Sequence, residues 1–240
     1  MIEFKQLLLE RVVFEVRYVK GYMYLDNSGK ILNSILDKYP TFEDVSPDPL
    51  GGTRLTMNVP DYIALRFTHD RSIVEISYPN DLKLYGELTN EIINLISKQL
   101  EISTFTRIGN RFFYVLPIKA IEEANEIFKA AVLFTIPEEK VSIFGKTFKE
   151  PEVKFVTVDE DIGYIVRLST TSRVFKEPPK PLKIDSSKLI TMGILVDIDY
   201  FTLKPVDLSM LNCDDLIKSN EHRLSKMIPT LFKERKTNAI

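Results

Sequence analysis

Tyr62-Ile-Ala-Leu-Arg-Phe67 and Ser72-Ile-Val-Glu-Ile-Ser-Tyr78, separated by a turn at His69-Asp70-Arg71, read as a β-hairpin that leads directly into an amphipathic helix. In that helix, predicted over Leu84–Leu100, Leu84, Leu88, Ile92, Leu95, Ile96 and Leu100 form one apolar stripe behind an N-cap at Asp81. The plan recurs further along. Tyr164–Thr171 and Leu189–Thr202 read as a strand pair, followed by a helix from about Ser209 to Lys233 in which Pro229 should introduce a kink. Strands interleaved with single helices, with too little chain for a crossover between every pair, predict an α+β fold with mainly antiparallel strands. Two related sheet-and-helix halves are expected, residues 1–117 and 118–240, or one intertwined domain made by duplicating a split-βαβ-like unit.

The rest of the chain fits around these units. Arg11–Val19 predicts a strand with Val12, Phe14, Val16 and Tyr18 on its apolar face. Asp26-Asn27-Ser28 reads as a turn before a helix over Gly29–Tyr39, ended by Pro40. Pro47, Pro49, Gly51 and Gly52 predict a loop, and a strand follows over Thr53–Val59. Ser103–Leu116 closes the first half as a strand. In the second half a short helix is expected over Ile121–Leu133 and strands over Val141–Val158. Arg173–Lys188, with Pro178-Pro179-Lys180-Pro181, reads as an exposed connector, and Lys233–Ile240 as a frayed end.

Composition removes several function classes. The 240 residues carry 32 Lys+Arg against 34 Asp+Glu, so no global field favours nucleic acid or an anionic membrane. Nine glycines leave little material for a glycine-rich phosphate loop. No stretch approaches a bilayer-spanning length, so no membrane partner is expected. The single cysteine, Cys213, excludes an intramolecular disulfide and a thiolate zinc site. With no apolar signal run near Met1, a reduced cytoplasmic location is the expectation.

The candidate chemistry is sparse. Asp197 and Asp199 alternate along one strand, which sets both carboxylates on one face roughly 7 Å apart, a spacing that suits a divalent ion in nucleases and phosphoesterases. The opposing reading pairs them with arginines of neighbouring strands. Asp159-Glu160-Asp161 reads as a solvated turn. His69, in the hairpin turn, and His222, on the last helix, have no nucleophile placed beside them, and Asp214 and Asp215 should raise the pKa of Cys213. No cofactor is expected.

The arginines carry the sharper pattern. Arg17, Arg66, Arg107, Arg111 and Arg167 each fall on the polar alternate of a predicted strand, with Phe113 and Tyr62 as neighbouring aromatics. If these strands share a sheet, the guanidinium groups line one face and can hold carboxylates or phosphates bidentately. A non-catalytic binding or regulatory subunit with a protein partner is the reading preferred on these grounds. Nucleic-acid binding on the same face is the alternative, and a homo-oligomer paired through sheet edges is compatible with either. Replacing Arg107 and Arg111 together by alanine should then abolish binding with little change in melting temperature.

Three stretches also carry a resemblance. Val12-Val13-Phe14-Glu15-Val16-Arg17-Tyr18, Arg107-Ile108-Gly109-Asn110-Arg111-Phe112 and Leu195-Val196-Asp197-Ile198-Asp199-Tyr200 resemble, in order and spacing, the sporadically distributed family of uncharacterised prokaryotic proteins. Tyr114 stands where that pattern carries asparagine. The resemblance spans nearly the whole chain and implies no activity. A patchy distribution implies an accessory gene, of the kind found in defence or mobile loci.

Overall fold

Alternation in Leu8–Arg17 (β1) sets the plane on which the fold is built. Val12, Phe14 and Val16 are buried, while Val13, Glu15 and Arg17 point to the opposite side. The computed structural model describes residues 2–48, 51–57, 62–131, 133, 151–172 and 192–233. β1 is followed by α1 (Met23–Lys38), β2 (Phe42–Asp48), β3 (Gly52–Met57), β4 (Tyr62–Phe67), β5 (Arg71–Ser77) and α2 (Leu82–Gln99). After these come the short β6 (Thr104–Phe105), β7 (Arg107–Pro117), α3 (Ile121–Ala130), β8 (Glu152–Asp159), β9 (Ile162–Ser172), β10 (Met192–Thr202), the short β11 (Val206–Asp207) and α4 (Cys213–Leu231). The fold is α+β, and every ladder between described strands is antiparallel.

Nine strands form one sheet in the order β2-β3-β4-β5-β1-β7-β10-β9-β8. Chain order and sheet order repeat. In the first unit β3, β4 and β5 run inward to β1; in the second β8, β9 and β10 run inward to β7. Each unit places one helix after its first strand and another after its last, α1 and α2 against α3 and α4. By this topology β7 opens the second unit. The two units meet at the β1–β7 ladder, from Leu8↔Val115 to Arg17↔Arg107.

All four described helices bury their stripes against one face of the sheet. Ile31 and Ile35 of α1, Ile92 and Ile96 of α2, Phe128 of α3 and Ile217, Leu224 and Ile228 of α4 share a core with Phe14, Leu65, Val74, Phe112, Val196 and Val166. Burying such side chains contributes about 1.5–3 kcal/mol each. Tyr85 of α2 donates its hydroxyl to the Val74 carbonyl at 2.7 Å, and Arg223 of α4 donates to the Tyr164 hydroxyl at 2.6 Å. The expected cap at Asp81 is present, its carboxylate accepting from the Lys83 and Leu84 amides. None of the described helices is long and apolar enough to cross a membrane.

Three local expectations are corrected. The predicted loop around Pro47 is strand β2, because an edge strand leaves one row of amides unpaired and tolerates a residue without an N–H. The turn expected at Asp26-Asn27-Ser28 lies inside α1. Asp26 suits the positive helix start, and the Asn27 side-chain amide donates back to the Met23 carbonyl at 3.1 Å. The last helix begins at Cys213, with Asn212 as its cap, and Ser209 belongs to a 3-10 turn over Leu208–Met210. The Pro178–Pro181 connector, the strand reading before residue 151, the first residues of the strand predicted from Leu189 and the C-terminal residues after 233 lie outside the described residues.

Gly86 marks the close approach of the second helix of each unit. A Cβ there would sit 2.9 Å from the Asp214 Cα of α4. Alanine gains about 1 kcal/mol of helix propensity, but the added methyl meets backbone, and such overpacking costs about 1–3 kcal/mol. Gly86→Ala is therefore expected to lower stability in urea denaturation despite improving the isolated helix.

Candidate functional site

The side of the sheet away from the helices carries the charged alternates. Its buried members Ala64, Ile73, Phe113 and Val115 lie outside the helix-packed core. Strand register places Arg17, Arg66, Arg107, Arg111 and Arg167 together on this face, as the alternation predicted. Arg11, Arg54 and Arg71 stand there too. They are legible from the same parity, but Arg11 begins the predicted strand, Arg71 falls in the predicted turn, and Arg54 lies beside the misread loop.

Carboxylates on the same face orient the arginines. Asp197 of β10 is 5% exposed and accepts hydrogen bonds from Nε and Nη2 of Arg111, from β7, at 2.6 and 2.5 Å, with Arg167 of β9 at 3.4 Å. Glu75 of β5 takes the same role in the first unit, pairing with Arg11 of β1 at 3.7 Å and Arg66 of β4 at 3.5 Å. Each unit thus holds one acid on its last strand between arginines of the two flanking strands. Arg107 reaches Asp199 at 3.3 Å, and Arg17 pairs with Glu15 two residues back on its own strand.

Aromatic rings fill the gaps between the charges. Phe113 lies under the guanidinium groups of both Arg11, 3.9 Å from the ring centre, and Arg111, at 4.6 Å. Phe201 covers the Gly163 backbone, where a Cβ would strike its ring, and Arg107 stacks 4.5 Å above it. Only hydrogen fits beneath that ring. Burial raises the Asp199 pKa despite the nearby charges of Arg107 and Arg111. Asp197, in turn, holds Arg111 more firmly protonated than a free guanidinium.

This geometry bears on the metal expectation. Asp197 and Asp199 do share a face, but arginines occupy both carboxylates. Among the described residues no group of three or more His, Cys, Asp or Glu side chains is placed to hold a metal ion. A divalent ion there would face Arg107, Arg111 and Arg167 at close range, which is strongly repulsive. His222 is exposed on α4 and His69 lies in the β4–β5 turn. Cys213 is buried at the start of α4, and burial pushes its thiol up to about 12; the desolvated site, not the neighbouring aspartates, is the cause.

No protein-family model and no curated protein matches the chain. The chemistry of this face therefore carries the functional reading. Guanidinium groups fixed in orientation by carboxylates present their outer N–H edges to a bound oxyanion without a large ordering cost.

Three outcomes follow from the site geometry. Arg111→Gln is expected to lower the unfolding free energy by about 3 kcal/mol, because it leaves the buried Asp197 carboxylate short of its bidentate partner. Arg17→Gln, at a more exposed pair, should cost less than about 1 kcal/mol in the same denaturation series. Arg111 is thus a poor choice for a silent binding variant. Cys213 should resist Ellman's reagent at pH 8 in the folded protein and react fully in denaturant. Fast labelling of the native chain would contradict its burial.

Proposed function

We propose that the protein is a non-catalytic, cytoplasmic binding subunit that engages an acidic protein partner on the arginine face. The supporting observation is the gathering of eight arginines, Arg11, Arg17, Arg54, Arg66, Arg71, Arg107, Arg111 and Arg167, on one side of a single sheet whose other side is covered by helices. Arginine held in this way recognises carboxylates in pairs of parallel hydrogen bonds. Two features favour protein over nucleic acid. Interleaved Glu15, Glu75, Asp197 and Asp199 dilute the positive field that phosphate backbones need. Phe113, the aromatic expected to stack on bases, is 6% exposed and roofed by two guanidinium groups. Placement in a prokaryotic accessory system, of defence or mobile type, rests on the resemblance of the three strand motifs.

The test is affinity purification of the tagged full-length chain from its native host, with and without nuclease, at low and high salt. A stoichiometric protein that survives nuclease and is lost from an Arg17→Gln/Arg66→Gln variant is the expected result. Recovered nucleic acid that disappears with nuclease would overturn the reading. So would a partner retained undiminished by the double variant when its melting temperature matches wild type.

A further inference from the structure

We propose that the layer between β7 and α4 is a binding site for buried water, held by the side-chain amide of Asn110. The inference is independent of the arginine face, because Asn110 lies on the other side of the sheet. It shares the helix-facing side of β7 with Ile108, Phe112 and Tyr114, and it is fully buried. Neither its amide nitrogen nor its carbonyl oxygen has a hydrogen-bond partner among the described residues. Buried groups of this kind are bonded in native interiors to protein or to ordered water.

The surroundings supply room and further partners. Asn110 stands between Phe14 of β1 and Tyr200 of β10 at its rung, and Phe112 follows two residues along the strand. Its side chain is shorter than each of these rings, so a rigid helix laid across them does not close on it. That helix is α4. Arg223 donates to the Tyr164 hydroxyl at 2.6 Å, and Tyr164, Tyr200 and Asn110 form one cross-strand row. Burial raises the Tyr114 pKa, and the charge of Glu221 adds to the rise, so the same part of α4 lies near Tyr114.

Between Glu221 and Arg223 in this account sits Asn220, on the buried stripe of α4 with Ile217 and Leu224. Asn220 is 3% exposed, and neither its side-chain nitrogen nor the Tyr114 hydroxyl has a partner among the described residues. Two amides and a phenol, all neutral, call for a small neutral molecule that both donates and accepts. The first unit makes no such demand. Its part of the same row is Phe14, Val74, Leu65 and Leu55, apolar and fully buried.

The experiment is water-selective NOE and ROE spectroscopy of the ¹⁵N-labelled full chain, with the Asn110 side-chain amide assigned through bonds from its backbone. The expected result is a cross-peak from water to that amide whose NOE and ROE have opposite signs. Such a pair marks long-lived water and excludes proton exchange. Tyr114→Phe removes a hydroxyl that would relay the signal, and the cross-peak should persist in it. Absence of the cross-peak in the wild type, or its loss in Tyr114→Phe, would overturn the proposal. So would a crystal structure in which a protein group bonds the Asn110 amide and no ordered water does.

Discussion

The β1–β7 ladder is the constraint on which the rest depends. It joins the two units, and it decides which side of each strand meets the helices. Strand side chains alternate with a period of two, so a slip of one residue would drive either Glu15 and Arg17 of β1 or Arg107 and Arg111 of β7 into the helix-packed core. It would also strip Phe14 or Phe112, both fully buried, of its surroundings. Ionised groups without partners cost several kcal/mol each in such an interior, which makes the slipped register inaccessible. The hydrophobic pattern of two strands nearly a hundred residues apart thereby fixes the location of every charge on the open face.

The ion pairs on that face then refine what burial has decided. Breaking the Arg111–Asp197 pair is costly, although its net contribution against an apolar alternative is small, because desolvation offsets most of the attraction. Its value lies in geometry. A carboxylate held between arginines of two flanking strands ties three strands at one rung, once at Glu75 and once at Asp197. The Arg-x-Gly-x-Arg and Asp-x-Asp motifs are therefore two sides of one network. Gly109 occupies the rung between the two arginines of β7, where a Cβ would be in ordinary contact with the Asp199 carboxylate.

Much of this was legible in the sequence because alternation is local. Each strand's parity can be read without knowing its neighbours, so the shared face of Arg17, Arg66, Arg107, Arg111 and Arg167 was foreseeable. The pairings were not, since Arg111 and Asp197 are 86 residues apart and only sheet order brings them together. Strand β2 was hidden for a different reason. Pro47 and the glycines that follow signal a turn in any local reading, and only position at the sheet edge permits a strand there. Along the chain β7 reads as the end of a unit, whereas in the sheet it lies between β1 and β10, an arrangement that only sheet order reveals.

The repeated topology separates two kinds of arginine cluster. The acid-centred clusters at Glu75 and Asp197 occur once per unit, on equivalent last strands, as expected of a device that holds each unit's own sheet together. Arg71, Arg17 and Arg107 have no such counterpart, because their row crosses the junction and draws strands from both units. It exists only in the assembled sheet. Arg71 and Arg17 are neutralised within their own strand segments, by Asp70 and Glu15, and Arg107 across to Asp199 of β10. A feature unique to the junction, repeated nowhere and costly in mutual repulsion, is where a function absent from the single unit would arise.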